Sequence, residues 1–239
     1  MQNYLDLHRH AAVRLSLVAH PGVALRLMVA HAVASSGHWQ VKPEPQQARS
    51  DAVAESVANG IAQAAFDAER REVLALLDQP DYHHSVAQAA YDPYDTAAVF
   101  AKLLALSDAD VLRVAACVMA ETMEAGSAVV EAVGNHLNAD AGEHWQPDDA
   151  FFDMIRDKAV LNAMLAEVAG KRCADANVTE KAKTQKKIVR DCLDGANGRA
   201  KVEGWLPGWM AFPVRPYTET GSLRTAEEWA RVRGLFETA

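Results

Sequence analysis

Apolar residues recur along this chain at intervals of three and four, and β-branched residues rarely alternate with polar ones, so the pattern predicts helices almost throughout. Gln2 to Ala19 reads as a first helix, with Leu5, Val13, Leu15 and Val18 on its apolar side. His20-Pro21-Gly22 breaks it, because proline cannot continue the hydrogen-bond ladder. Val23 to Ala34 is so apolar that a central, buried helix is expected, with Arg26 and His31 its only strongly polar side chains. Ser35-Ser36-Gly37 ends it. His38 to Ser50 is the longest irregular segment, held extended by Pro43 and Pro45; Trp39-Gln40-Val41 has the makings of a short strand but no partner. The helical pattern returns at Asp51, weakens at Asn59-Gly60, and runs through Ile61, Phe66, Val73, Leu74 and Leu77 to Gln79-Pro80. His83 to Tyr91 predicts a short helix.

Thr96 to Leu106 is again helical, and Ser107 caps the next helix with Asp110 at the third position. That helix carries Val111, Leu112, Ala115, Val118 and Met119, all expected in the core. Gly126-Ser127 supplies a stop and a new cap, and a helix follows to about Leu137. The polar loop from Asn138 to Glu143 is the expected internal boundary. Beyond it a second module opens at Trp145, with Pro147 and Asp148-Asp149 forming a helix start that the helix dipole favours. A helix from Lys158 to Ala169 closes at Gly170, another runs from Thr179 to Leu193, and the module ends at Gly204-Trp205-Leu206-Pro207 and Trp209. The pattern therefore predicts an all-α fold of about eight to ten helices: a multi-helix bundle over 1–140, a smaller helical module over 145–209, and an irregular tail over 210–239. The tail ends in a short helix from Thr225, with Glu228 completing a capping box and Trp229, Val232, Leu235 and Phe236 forming an apolar side.

With 239 residues and half of them hydrophobic, the chain can bury a substantial core. No uncharged apolar run approaches the roughly 20 residues of a membrane span, and the N-terminus lacks the pattern of a signal peptide. The cysteines Cys117, Cys173 and Cys192 are odd in number and in no Cys-x-x-Cys spacing, which points to reduced thiols in a cytoplasmic protein. The net charge of −8 argues against a surface that binds nucleic acid throughout. Its distribution changes that picture. Gly170 to Lys201 holds nine Lys/Arg against four Asp/Glu, whereas the rest of the chain holds 15 basic and 28 acidic residues.

The basic segment supplies the one candidate site. On a helix from Thr179 to Leu193, Lys183, Lys186, Lys187 and Arg190 fall within an arc of about 100°, where four cations could track phosphates without reading sequence. The alternative is a solvated face that only keeps the helix soluble; no aromatic or Asn/Gln side chain for base contacts lies among the cations. Gly170 to Val178 reads as a nine-residue separator, too long for the turn of a DNA-reading helix-turn-helix. The nine histidines lack the i, i+4 spacing of helical metal ligands, and no nucleophile elbow, P-loop or Gly-x-Gly-x-x-Gly is present. A non-enzymatic protein is expected, with no metal, no cofactor and no small-molecule substrate.

In their order and spacing these segments resemble the C-terminal helical region of ParB-like plasmid and chromosome partition proteins. The matching pieces are Tyr4 to Arg14, Pro21 to Leu25, Ala64 to Arg70, and then Trp145, Phe151-Phe152, Gly170, Lys186-Lys187 and Gly204 to Pro207. The resemblance spans about Tyr4 to Pro207 and leaves Met210 to Ala239 uncovered. The family's N-terminal nucleotide-binding domain and its helix-turn-helix domain have no counterpart here. Glu69-Arg70-Arg71 approximates the family's Gly-Glu-Arg-Arg box, but Ala68 stands at the glycine and the segment lies within a helix, so no nucleotide or cleavage residue carries over. A short relative, or a piece of a longer protein, is implied. The resemblance implies an accessory or assembly module of a partition protein, with self-association or a partition-complex protein as partner and weak, sequence-independent contact to DNA phosphates. A structural protein–protein interaction domain without nucleic-acid binding is the alternative.

Overall fold

The structure, a computed structural model, describes residues 10, 13, 16, 17, 20–37, 39–44, 48–87, 93–215, 218 and 224–236. These residues form eleven α-helices and no strand, as the periodicity predicts. Most of the expected first helix, 2–19, lies outside the described residues. The chain divides into two compact units, Met1–Pro45 with Ala65–Met123, and Gln46–Ala64 with Glu124–Ala239. The loop at Asn138 to Glu143, read above as the boundary, falls within the second.

In the first unit, α1 (Pro21–Ala34) packs against α4 (Pro93–Ala105) and α5 (Asp108–Ala120), and α3 (Ile61–Leu76) contributes its residues from Ala65 onward. Pro21 sits in the first turn of α1, where its missing N–H costs no hydrogen bond. Val29, Ala30 and Val33 of α1 join Val73, Leu74, Leu103, Val111, Val114 and Val118 in one buried cluster. Arg26 earns its place in an apolar helix by serving two helix ends. It donates from Nε to the Leu103 carbonyl at 2.9 Å and from Nη2 to the Leu106 carbonyl at 3.0 Å, and pairs with Asp108 at 2.6 Å. The carbonyls that end α4 and the acid that opens α5 are thus satisfied by one guanidinium.

Two expectations are corrected in this unit. Leu112 and Met119 are each 56% exposed rather than buried. Val111, Val114 and Val118 set the buried face of α5, and residues 112 and 119 point about 100° away from it. Residues 83–87 are irregular rather than helical. The Glu121 carboxylate accepts the Ser85 hydroxyl at 2.6 Å and the Val86 N–H at 3.1 Å, so it replaces the helical ladder there. Trp39-Gln40-Val41, without a partner strand as read above, forms only an isolated bridge from Trp39 back to Ser36.

The second unit holds α2 (Asp51–Ala58), α6 (Ala128–His136), α7 (Asp149–Met154), α8 (Lys158–Ala169), α9 (Lys171–Asn177), α10 (Ala182–Asp194) and α11 (Arg224–Val232). Asp148 and Asp157 cap α7 and α8, accepting from Phe151 N and Ala159 N at 2.8 Å each. α8 is the central element, with α9 and α10 both packed on it. Leu161, Met164, Leu165 and Val168 of α8 are buried with Phe152, Ala174, Ile188, Val189 and Cys192. The terminal helix α11 rests on α6.

Candidate nucleic-acid interface

The separator expected between α8 and α10 is itself a helix. Gly170, at φ +83°, reverses the chain between α8 and α9, a backbone conformation that favours glycine. Residues 171–177 then coil, with Ala174 buried against the core. The connection from α9 to α10 is therefore four residues, Val178 to Lys181, and not nine. The Asn177 carbonyl accepts from Glu180 N at 3.0 Å within this turn and from Gln185 Nε2 at 2.9 Å across it. Gln185 is fully buried on the inner face of α10, where its Nε2 bond ties the start of α10 to the end of α9.

The inner face of α10 is Gln185, Ile188, Val189 and Cys192. At about 100° per residue the arc of Lys183, Lys186, Lys187 and Arg190 is centred opposite it. The four expected site residues therefore do share one outward face. Lys183 and Lys187 are exposed and Lys186 is half-buried. None of these three lysines has an ion pair among the described residues. No acid stands in the first turn of α10, so Lys183 also loads positive charge onto the positive end of a helix dipole.

Arg190 differs from the lysines. Its guanidinium lies over the Phe152 ring, 4.3 Å from the centroid, and pairs with Asp149 at the start of α7. It is committed to holding α10 against α7. Sequence spacing placed it on the stripe but could not reveal this partner, since Asp149 is 41 residues away.

Beside Arg190 a cavity of about 490 Å³ is lined by Trp145, Phe152, Lys201 and Trp205 among others. Trp145 and Trp205 both meet Phe151 edge to face, at centroid distances of 5.1 and 6.4 Å. Trp205, between Gly204 and Leu206-Pro207, is half-buried. Its Nε1 donates to Glu167 at 2.8 Å, and that polar bond holds the indole at the margin of the core. Asp148, at the same helix start, is pushed up by burial but held below the usual carboxylate range by hydrogen bonds from the Ser56 hydroxyl and the Phe151 N–H.

A second cluster escapes sequence spacing altogether. Arg199 Nη1 contacts Cys173 Sγ at 3.8 Å. Asn177 Nδ2 reaches Cys173 Sγ at 3.7 Å. Burial works against the Arg199 charge, and the sulfurs of Cys173 and Cys192 more than offset it. Among the described residues no group of three or more His, Cys, Asp or Glu side chains is placed to hold a metal ion, and no helix is long and apolar enough to cross a membrane. Comparison with protein-family models, curated proteins and solved structures returns no match.

Proposed function

We propose that this chain is a cytoplasmic, non-enzymatic assembly module of a ParB-like DNA partition system, in which the outward face of α10 makes weak, sequence-independent contact with phosphates. The observation that carries the DNA contact is the set of three lysines, Lys183, Lys186 and Lys187, opposite the buried face of α10 and without ion-pair partners among the described residues. Free cations on a fixed helix meet the phosphate backbone at little cost in ordering, and each releases counterions on contact. The partition context rests on the resemblance in segment order from Tyr4 to Pro207. Since Arg190 is engaged with Asp149 and Phe152, three contacts are expected rather than four.

The net charge of −8 favours the second reading, an interaction domain whose lysines only solvate α10. Changing Lys183, Lys186 and Lys187 together to Gln separates the two. Gln keeps most of the helix propensity, so helix content stays as it was. Under the proposal, the variant loses duplex binding measured by fluorescence anisotropy at low salt. Equal binding by variant and wild type would reject it.

A further inference from the structure

The cavity of about 490 Å³ beside Arg190 lies wholly within the second unit, at the C-terminal end of α10. Its size is that of a small-ligand site. Trp145 and Trp205 are its large aromatic walls, each half-buried, so part of each side chain stays open to a ligand. Phe151 meets both rings edge to face, and the Trp205 Nε1 bond to Glu167 at 2.8 Å fixes the second indole. The walls are thus set before anything enters. The charges on the lining cancel, Arg190 and Lys201 standing against Asp194 and Glu203. A bare anion therefore gains little inside. A flat, neutral group with N–H donors and carbonyl acceptors on its edge fits aromatic walls flanked by both signs. An unpaired nucleobase has that chemistry. Outside the cavity, Lys187 stands about 4.5 Å back along α10 from Arg190, on the exposed arc it shares with Lys183.

We propose that this cavity takes an unpaired base of a single-stranded nucleic acid, stacked on the Trp145 and Trp205 walls, while the flanking phosphates lie on Lys187 and Lys201. The proposal rests on the phosphate-binding reading of α10. It adds the part of the strand that a duplex withholds, because paired bases are stacked on one another and closed to an aromatic wall. Asp194 and Glu203 accept from N–H groups on the base edge. Lys201 pairs with Glu203 at 3.2 Å with both side chains exposed, and so weak a pair yields to a phosphate. Arg190, held by Asp149 and Phe152, is a fixed wall and not a phosphate contact. Every base has a π-face, so the cavity selects strandedness and not sequence.

The test compares three ligands of equal length on the full chain at low salt: a single-stranded oligothymidylate, the same backbone with abasic sites throughout, and a duplex. Fluorescence anisotropy gives the affinities. The base-bearing strand is expected to bind about fivefold or more tighter than the abasic strand, the gain of one stacked base. It is also expected to quench tryptophan emission where the abasic strand does not. Trp145→Leu is expected to remove the base advantage and to leave abasic and duplex binding unchanged, with circular dichroism confirming that helix content is kept. The comparison of base-bearing and abasic strands on the wild-type chain needs no variant, so it decides even if Trp145→Leu does not fold. Equal affinity for those two strands, or a base advantage that a folded Trp145→Leu retains, would overturn the cavity proposal and leave the phosphate contact of α10 standing. Absence of binding by all three ligands would overturn both.

Discussion

Single positions in the second unit show how closely side-chain fit decides stability. A Cβ on Gly134 of α6 would lie 2.4 Å from the Phe212 ring, so Gly134→Ala forces that ring to move. The expected loss is about 1–2 kcal/mol, overpacking outweighing the helical gain of alanine. In a Phe212→Ala background the obstacle is gone, and the same substitution is expected to stabilise by about 0.5–1 kcal/mol. Urea denaturation of the four proteins reads the reversal of sign. Trp205 is half-buried with its Nε1 on Glu167, so Trp205→Ala is expected to cost about 2 kcal/mol, below the 3–5 of a fully enclosed tryptophan. Glu131 is 4% exposed, and one of its carboxylate oxygens is buried without a hydrogen-bond partner among the described residues; burial raises its pKa from the ordinary 4.5. A carboxyl raised in the folded state contributes stability below its unfolded pKa and loses that contribution as pH rises through the folded value. Glu131→Gln is therefore expected to raise Tm at neutral pH, with the advantage shrinking as pH falls from the raised folded value to the ordinary one. A Tm advantage that is the same at pH 4 and pH 7 would show that the charge is not what costs.

At the scale of elements, long periodic helices were legible and short or tethered ones were not. α8 announces itself through Val160, Leu161, Met164, Leu165 and Val168, all buried as their spacing requires. α9 has seven residues and buries only Ala174 fully, too little apolar surface for a period to show. Its existence depends on α8 beneath it and on the reversal at Gly170. Gly170→Ala, at φ +83°, is expected to destabilise by about 1–2 kcal/mol in chemical denaturation, because a Cβ disfavours that backbone region even though nothing crowds it. Irregular residues 83–87 show the converse. Glu121, more than thirty residues away, takes the Ser85 hydroxyl and Val86 N–H. Local sequence could not register a competitor so distant. On α10 the stripe was legible from angle alone, whereas the commitment of Arg190 to Asp149 and Phe152 needed the tertiary fold.

Over the whole molecule, the all-α class was readable from periodicity, and the division into units was not. Residues 46–64 join the second unit although they precede most of the first in sequence, and no turn signal encodes such an exchange. Charge is likewise a property of the whole. The basic stretch from Gly170 to Lys201 sits in a chain whose other residues carry 28 acids against 15 bases, so any approach of DNA to α10 works against a repulsive background. Binding is expected to be weak at physiological salt and to strengthen steeply as salt falls. The most direct test is the salt dependence of duplex affinity for the wild-type chain, measured on two unrelated sequences. Three phosphate contacts predict a slope of log affinity on log salt of about −2.7, from about −0.9 per contact, the same for both sequences. No binding at the lowest salt, or a slope unchanged when Lys183, Lys186 and Lys187 become Gln, would contradict a role for α10 in holding DNA.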